Sequence, residues 1–240
     1  MYLSKPHVVF FPFVLPVIVF LWACNSIDKQ QYKKEIHSVF TPQVYQPGWD
    51  AAAWKWEENV AMDGEAEGSE NQFIVFSRWN EDSLYFFFKV MDNCLRAYQT
   101  EQDHASLFLD DMVEVLIDTQ NTKDSCWSEH DIVYHINLLG VKKDDRGTPE
   151  CITDPAWKGN ARITVQLFGS LNDTTDIDTG YLVTLVFPWQ ELEQVPHPGL
   201  IMGINFANGD NDGKGRQLFD WVGAWPLRSP YAFGNLIIIK

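Results

Sequence analysis

Three groups of residues in this chain could do chemistry. The first is Glu114, placed in "LDDMVEVLID" (109–118) among Val113, Val115, Leu116 and Ile117. A carboxylate inside such a run is costly to bury without a partner. If the stretch is a strand, Met112, Glu114 and Leu116 share a face. In "DIVYHINLLG" (131–140), Val133, His135, Asn137 and Leu139 would likewise share one. Paired side by side, the two strands would set Glu114 beside His135 and Asn137: an acceptor, a ring nitrogen and an amide suited to hydroxyl groups. The alternatives are a solvated Glu114 or one neutralised by His135.

The second group is "NGDNDGKGR" (208–216), whose Asn, Asp and Gly alternate. Asp210 and Asp212 offer hard oxygen ligands for calcium, but the closing Glu of an EF-hand loop is missing. A long solvated turn is the other reading. The third is "FDWVGAWPLRSP" (219–230), with two Trp and an Arg in one loop. An exposed Trp there can stack on the C–H face of a sugar, and a Trp packed in the core is an equally ordinary reading.

Other chemistries find no motif. There is no Gly-rich phosphate loop, no G-x-S-x-G and no H-E-x-x-H. The six histidines are scattered, without metal-ligand spacing. The expectation is a protein that is not an enzyme. With a formal net charge of −15, the surface repels phosphates, so nucleic acid is not an expected partner.

The elements that would position these groups are short strands. Period-2 alternation marks 71–79, 84–92, 112–118, 131–140, 161–169, 180–189, 200–209 and 233–240. Short helices are expected only near 51–59 and 189–194. Strands at regular spacing with turn-rich links predict an all-β, antiparallel β-sandwich, immunoglobulin- or jelly-roll-like. Residues 37–240 read as one such domain.

The first residues read differently. "MYLSKPHVVFFPFVLPVIVFLWAC" has one Lys, an apolar run and a small residue before Cys24, the layout of a secretory signal. "LWAC" resembles a bacterial lipobox. Residues 1–23 are therefore expected to be a lipoprotein signal peptide, Cys24 the lipidated residue, and 24–36 a polar tether. The expectation is an exported protein, anchored by lipid to a bacterial membrane and facing the periplasm or cell exterior. Export permits a disulfide. Cys126 with Cys151 is the expected pair, since both lie in loop-like stretches.

The order of motifs resembles the family 9 carbohydrate-binding modules. "WDAAAWKW" supplies Asp50 and Trp54; "RWNEDSLYFFFKVMD" supplies Trp79, Leu84, Tyr85 and Asp92. "LDDMVEVLID", "YHINLLG", "GYLVTLVFPWQEL", "GINFANGDND" and "FGNLIIIK" follow in the family's sequence. The resemblance implies a β-sandwich of that type that binds saccharide without catalysis, often with structural calcium. It places Glu114 on a sugar-bonding glutamate, His135 where those modules carry an arginine, and Asn137 on a strand asparagine. One of two clamping tryptophans falls near Phe108. The other falls on Leu227, with Trp225 two residues away, and a sugar-bonding glutamine falls on Ala207. Asp210 keeps a matching acid. The expected site is thus Phe108, Glu114, His135, Asn137 and Trp225, in a domain supporting glycan capture or degradation. Two rivals remain at this point. The same sandwich type can hold b-type haem, for which Met112 and His135 are the candidate axial side chains. The chain could also be a structural component of a glycan-processing complex.

Overall fold

A computed structural model describes residues 34–42, 44, 59–63 (backbone only), 71–213, 215–223 and 225–240. The signal peptide 1–23, Cys24, most of the tether, Asp50, Trp54 and nearly all of the helix expected at 51–59 lie outside the described residues. No described helix is long and apolar enough to cross a membrane.

Among the described residues, thirteen strands form one sheet: β1 (Glu35–Phe40), β2 (Asn59–Asp63), β3 (Gln72–Trp79), β4 (Ser83–Met91), β5 (Met112–Asp118), β6 (Asp131–Asn137), β7 (Lys142–Gly147), β8 (Thr153–Asp154), β9 (Arg162–Phe168), β10 (Gly180–Pro188), β11 (Ile201–Asp210), β12 (Gln217–Asp220) and β13 (Gly234–Ile239). Their order is β8-β7-β6-β5-β11-β13-β1-β3-β4-β10-β9, with β12 added beside β11 and β2 beside β3. β1 begins at Glu35, two residues inside the stretch read as tether.

A sheet this wide does not stay flat, because each strand twists right-handedly against its neighbour. It curls so that β5, β6 and β11 face β4 and β10 across one core. Phe86 and Phe88 of β4 meet Phe206 of β11 at 5.4 and 5.7 Å, and Tyr134 of β6 meets Phe187 of β10 at 5.1 Å, all edge-on. Edge-on aromatic pairs of this kind contribute about 0.5–1.5 kcal/mol each beyond their burial. The expected sandwich is therefore present. It is not wholly antiparallel, because β1 runs parallel to both β13 and β3.

The residues pointing inward are those that the period-2 pattern assigns. Val113, Val115 and Ile117 of β5 join Ile132, Tyr134 and Ile136 of β6 and Met202, Ile204 and Phe206 of β11 in the core. The helix expected at 189–194 is instead a series of turns. Trp189 and Leu192 are buried there, but Glu193 takes a left-handed backbone with φ 53°, which stops helical propagation. The helices among the described residues are single 3-10 turns at Leu107–Leu109 and Pro230–Ala232.

Candidate functional site

Glu114 lies on the outer face of β5, and that face is covered rather than solvated. The residue is 2% exposed. The register sets one row across four strands: Lys143 opposite His135, His135 opposite Glu114, and Glu114 opposite Ala207. His135 Nδ1 is 3.3 Å from Glu114 Oε2. His135 Nε2 is 3.4 Å from Arg228 Nη2. A guanidinium can only donate, so in this contact Nε2 is the acceptor, and Nδ1 faces Glu114. Arg216 Nη2 is 3.6 Å from Glu114 Oε1. Burial would raise the Glu114 carboxyl, but His135 and the guanidiniums of Arg216 and Arg228 outweigh it and hold it below its ordinary value. Glu114 is thus an ionised, acceptor-only floor. Its Oε2 has no hydrogen-bond partner among the described residues, so it retains acceptor capacity.

One wall is built by the acids at the mouth of β5. Asp110 accepts from the backbone N–H groups of Tyr98 and Gln99, at 3.0 and 2.9 Å. Asp111 accepts from the N–H groups of Arg96 and Asn211, at 2.6 and 2.7 Å. The Asn211 side chain donates to Leu109 O. These bonds fasten the Leu107–Leu109 turn to the segment after β11. Leu107 is buried as the anchor, while Phe108 is 46% exposed. The Arg216 guanidinium lies over the Phe108 ring, 5.6 Å from its centre.

The other wall comes from loops joined by a disulfide. Cys126 and Cys151 are bonded, with Cα atoms 5.6 Å apart, as expected from their positions; Cys94 is free. Trp127, next to Cys126, packs with Leu116, Val133, Phe233 and Leu227 on the outer face. Gly147 permits this: a Cβ there would lie 2.0 Å from Ser128 O. Arg228 spans the wall. It lies 5.3 Å from the Trp127 ring centre, and donates to Asp145 Oδ2 at 2.5 Å and to Thr153 Oγ1 at 3.2 Å.

The structure brings Phe108, Glu114 and His135 together. Asn137 is different. Its Nδ2 donates to Gln99 O and Asp110 Oδ2, both at 2.8 Å, and its Oδ1 accepts from Leu139 and Val141 N–H. All four capacities are filled within the protein, so Asn137 holds the β6–β7 turn and has none left for a ligand. Leu227, at the position of the second clamp, is a packing residue of the Trp127 cluster. Trp225 is 81% exposed in the same loop. Arg216, Arg228, Trp127 and Asp145 were not among the expected site residues. "GKGR" and "WPLRSP" each carried an arginine in a loop flagged for other reasons, which was the available signal.

Asp92, Asp210 and Asp212 converge at the end of β4 and β11, with one oxygen of each within 4.8 Å of the others. Asp92 Oδ2, Asp210 Oδ1 and Asp212 Oδ1 are buried without a hydrogen-bond partner. Burial and mutual repulsion push Asp92 up to about 6 and Asp210 up to about 7. Three orphaned carboxylate oxygens have the chemistry of ligands for a hard divalent cation; the sequence pointed to Asp210 and Asp212 for calcium and to Asp92 only as a motif residue. Haem fits poorly: both ring nitrogens of His135 face protein groups, so axial ligation would break those contacts.

Comparison with known proteins places the fold. Endo-1,4-beta-xylanase A of Thermotoga neapolitana is 26% identical over 196 residues, covering 78% of this chain and 16% of that enzyme. The enzyme of the same name from Thermotoga maritima gives the same figures. The chain therefore spans about a sixth of the curated relatives it matches. Among solved structures, a carbohydrate binding module family 9 from Caldicellulosiruptor kristjanssonii in complex with cellotriose superposes with a TM-score of 0.65 at 18% identity, covering 86% of this chain and 94% of that one. The same module in complex with glucose gives 0.63, at 18% identity over 85% and 95%. These structures establish a shared fold. The model of the carbohydrate family 9 binding domain-like family matches residues 44–240, and the chain belongs to that family.

Proposed function

We propose that this chain is a non-catalytic saccharide-binding domain whose ligand rests on the outer face of β5 and β6. The observation that carries this reading is the buried, ionised Glu114 between His135 and Arg216, with the exposed Phe108 ring at its edge. A buried carboxylate with spare acceptor capacity suits hydroxyl groups, and an aromatic ring suits the C–H face of a pyranose. Family membership supports it, as do the cellotriose and glucose complexes of the structural relatives. Ala207 and Leu227 stand where the family's glutamine and second tryptophan would be, so the contacts differ from those of the well-matched modules.

Asp92, Asp210 and Asp212 would hold a calcium ion that neutralises their repulsion and ties β4 to the segment after β11. That segment leads to Arg216, so the ion would stiffen one wall of the site. We further propose that the protein is exported and anchored through Cys24 to a bacterial membrane, on the strength of the leader and lipobox alone. An anchor would keep the domain close to glycan-degrading enzymes and raise their effective concentration. Glycan-array binding tests the saccharide reading: the wild type should bind and Glu114→Ala should not. Absence of binding to any sugar at millimolar concentration would refute it.

A further inference from the structure

Arg216, Arg228 and Lys143 bring three cations to the face that carries Glu114. Arg216 carries five N–H donors, and among the described residues its guanidinium makes no hydrogen bond; Glu114, its closest carboxylate, stops at 3.6 Å. Its Nε is buried without a partner. Arg228 and Lys143 add two more positive groups, both tied to Asp145. Asp220, beyond Ala207 in the same row, already accepts the Val222 N–H. This concentration of cations stands out in a chain of net charge −15.

A neutral sugar leaves most of the Arg216 fork unfilled. A carboxylate fills it in bidentate fashion, and the guanidinium already lies over Phe108, 5.6 Å from the ring centre. Resting on the saccharide-binding reading above, we infer that the site takes an acidic saccharide, with a uronic acid carboxylate on Arg216 and hydroxyl groups on Glu114. Phe108, beneath the guanidinium, would lie against the same ring.

Calorimetric titration of the full chain with glucuronic acid, galacturonic acid, glucose, galactose and sodium acetate at matched ionic strength tests this. Each uronic acid should bind roughly tenfold tighter than its neutral counterpart, as a charge-assisted pair of hydrogen bonds implies. That ratio should shrink with added salt, while neutral-sugar affinity holds. Arg216→Gln, checked for folding by thermal unfolding, should abolish the ratio, and Arg216→Lys should keep part of it. Equal or tighter binding of the neutral sugars would overturn the inference and leave saccharide binding standing. Acetate binding as tightly as the uronic acids would also overturn it, since a plain anion site would explain that. No binding by any sugar would overturn both readings.

Discussion

Replacing Glu114 by Gln should destabilise the fold, by an amount that depends on pH. The side chain is buried and faces Arg216 at 3.6 Å and His135 at 3.3 Å. At that separation the attraction to one guanidinium is about 4–5 kcal/mol at an effective dielectric constant near 20. Removing the charge also removes its desolvation cost, which takes back a large part of that gain. Arg216 is partly exposed and can rehydrate, and the Gln carbonyl can still accept from His135. A net loss of about 2 kcal/mol at pH 7 is the expectation. For a domain of this size that lowers Tm by about 4–8 °C. The native carboxyl titrates below its ordinary 4.5. Its contribution is therefore complete above about pH 4.5 and is lost as pH falls through the lower native value. Calorimetric scans of both proteins from pH 7 to pH 3 should show the gap closing in acid. A variant as stable as the wild type at pH 7, or a gap that does not narrow in acid, would refute the ion-paired account of Glu114.

Phe108→Ala should weaken sugar binding by about 1 kcal/mol, roughly fivefold, while moving Tm little because the ring is half exposed; titration calorimetry beside thermal scans separates the two effects. Calcium at a hundredfold excess over its Kd should raise stability by about 2.7 kcal/mol. Chelation should reverse this, and Asp210→Asn should show no such response. Asn137→Ala should cost about 3 kcal/mol, since it strands the Leu139 and Val141 amides and removes the donor to Gln99 O and Asp110. Chemical denaturation measures that loss, and any effect on binding should follow stability alone.

Strand β5 was legible in the sequence to the residue, because branched apolar side chains alternate through 112–118 with no turn residue among them. Strand β7 was not. "KKDDRG" has no apolar period, and its inward Asp144 accepts from Lys142 and the Gly159 amide on Oδ2, a pairing no local pattern announces. The Glu114–His135 pairing was readable because antiparallel register needs only two strands and their faces. Arg228 was not, because it reaches His135 across 93 residues through a loop whose path is fixed by tertiary packing. Asn137 was misjudged for a local reason. It opens the turn "NLLG", where Gly140 has φ 72°, and an asparagine there bonds the backbone that follows it.

A saccharide seated over Glu114 and His135 should perturb the groups that surround it. Backbone amide and indole NMR shifts, followed while a binding sugar is titrated, test it most directly. Perturbations should concentrate on Phe108, Glu114, His135, Arg216 and Arg228, with the Trp127 indole among them. Shifts confined to the opposite layer, around Phe76, Phe87 and Val186, would contradict it.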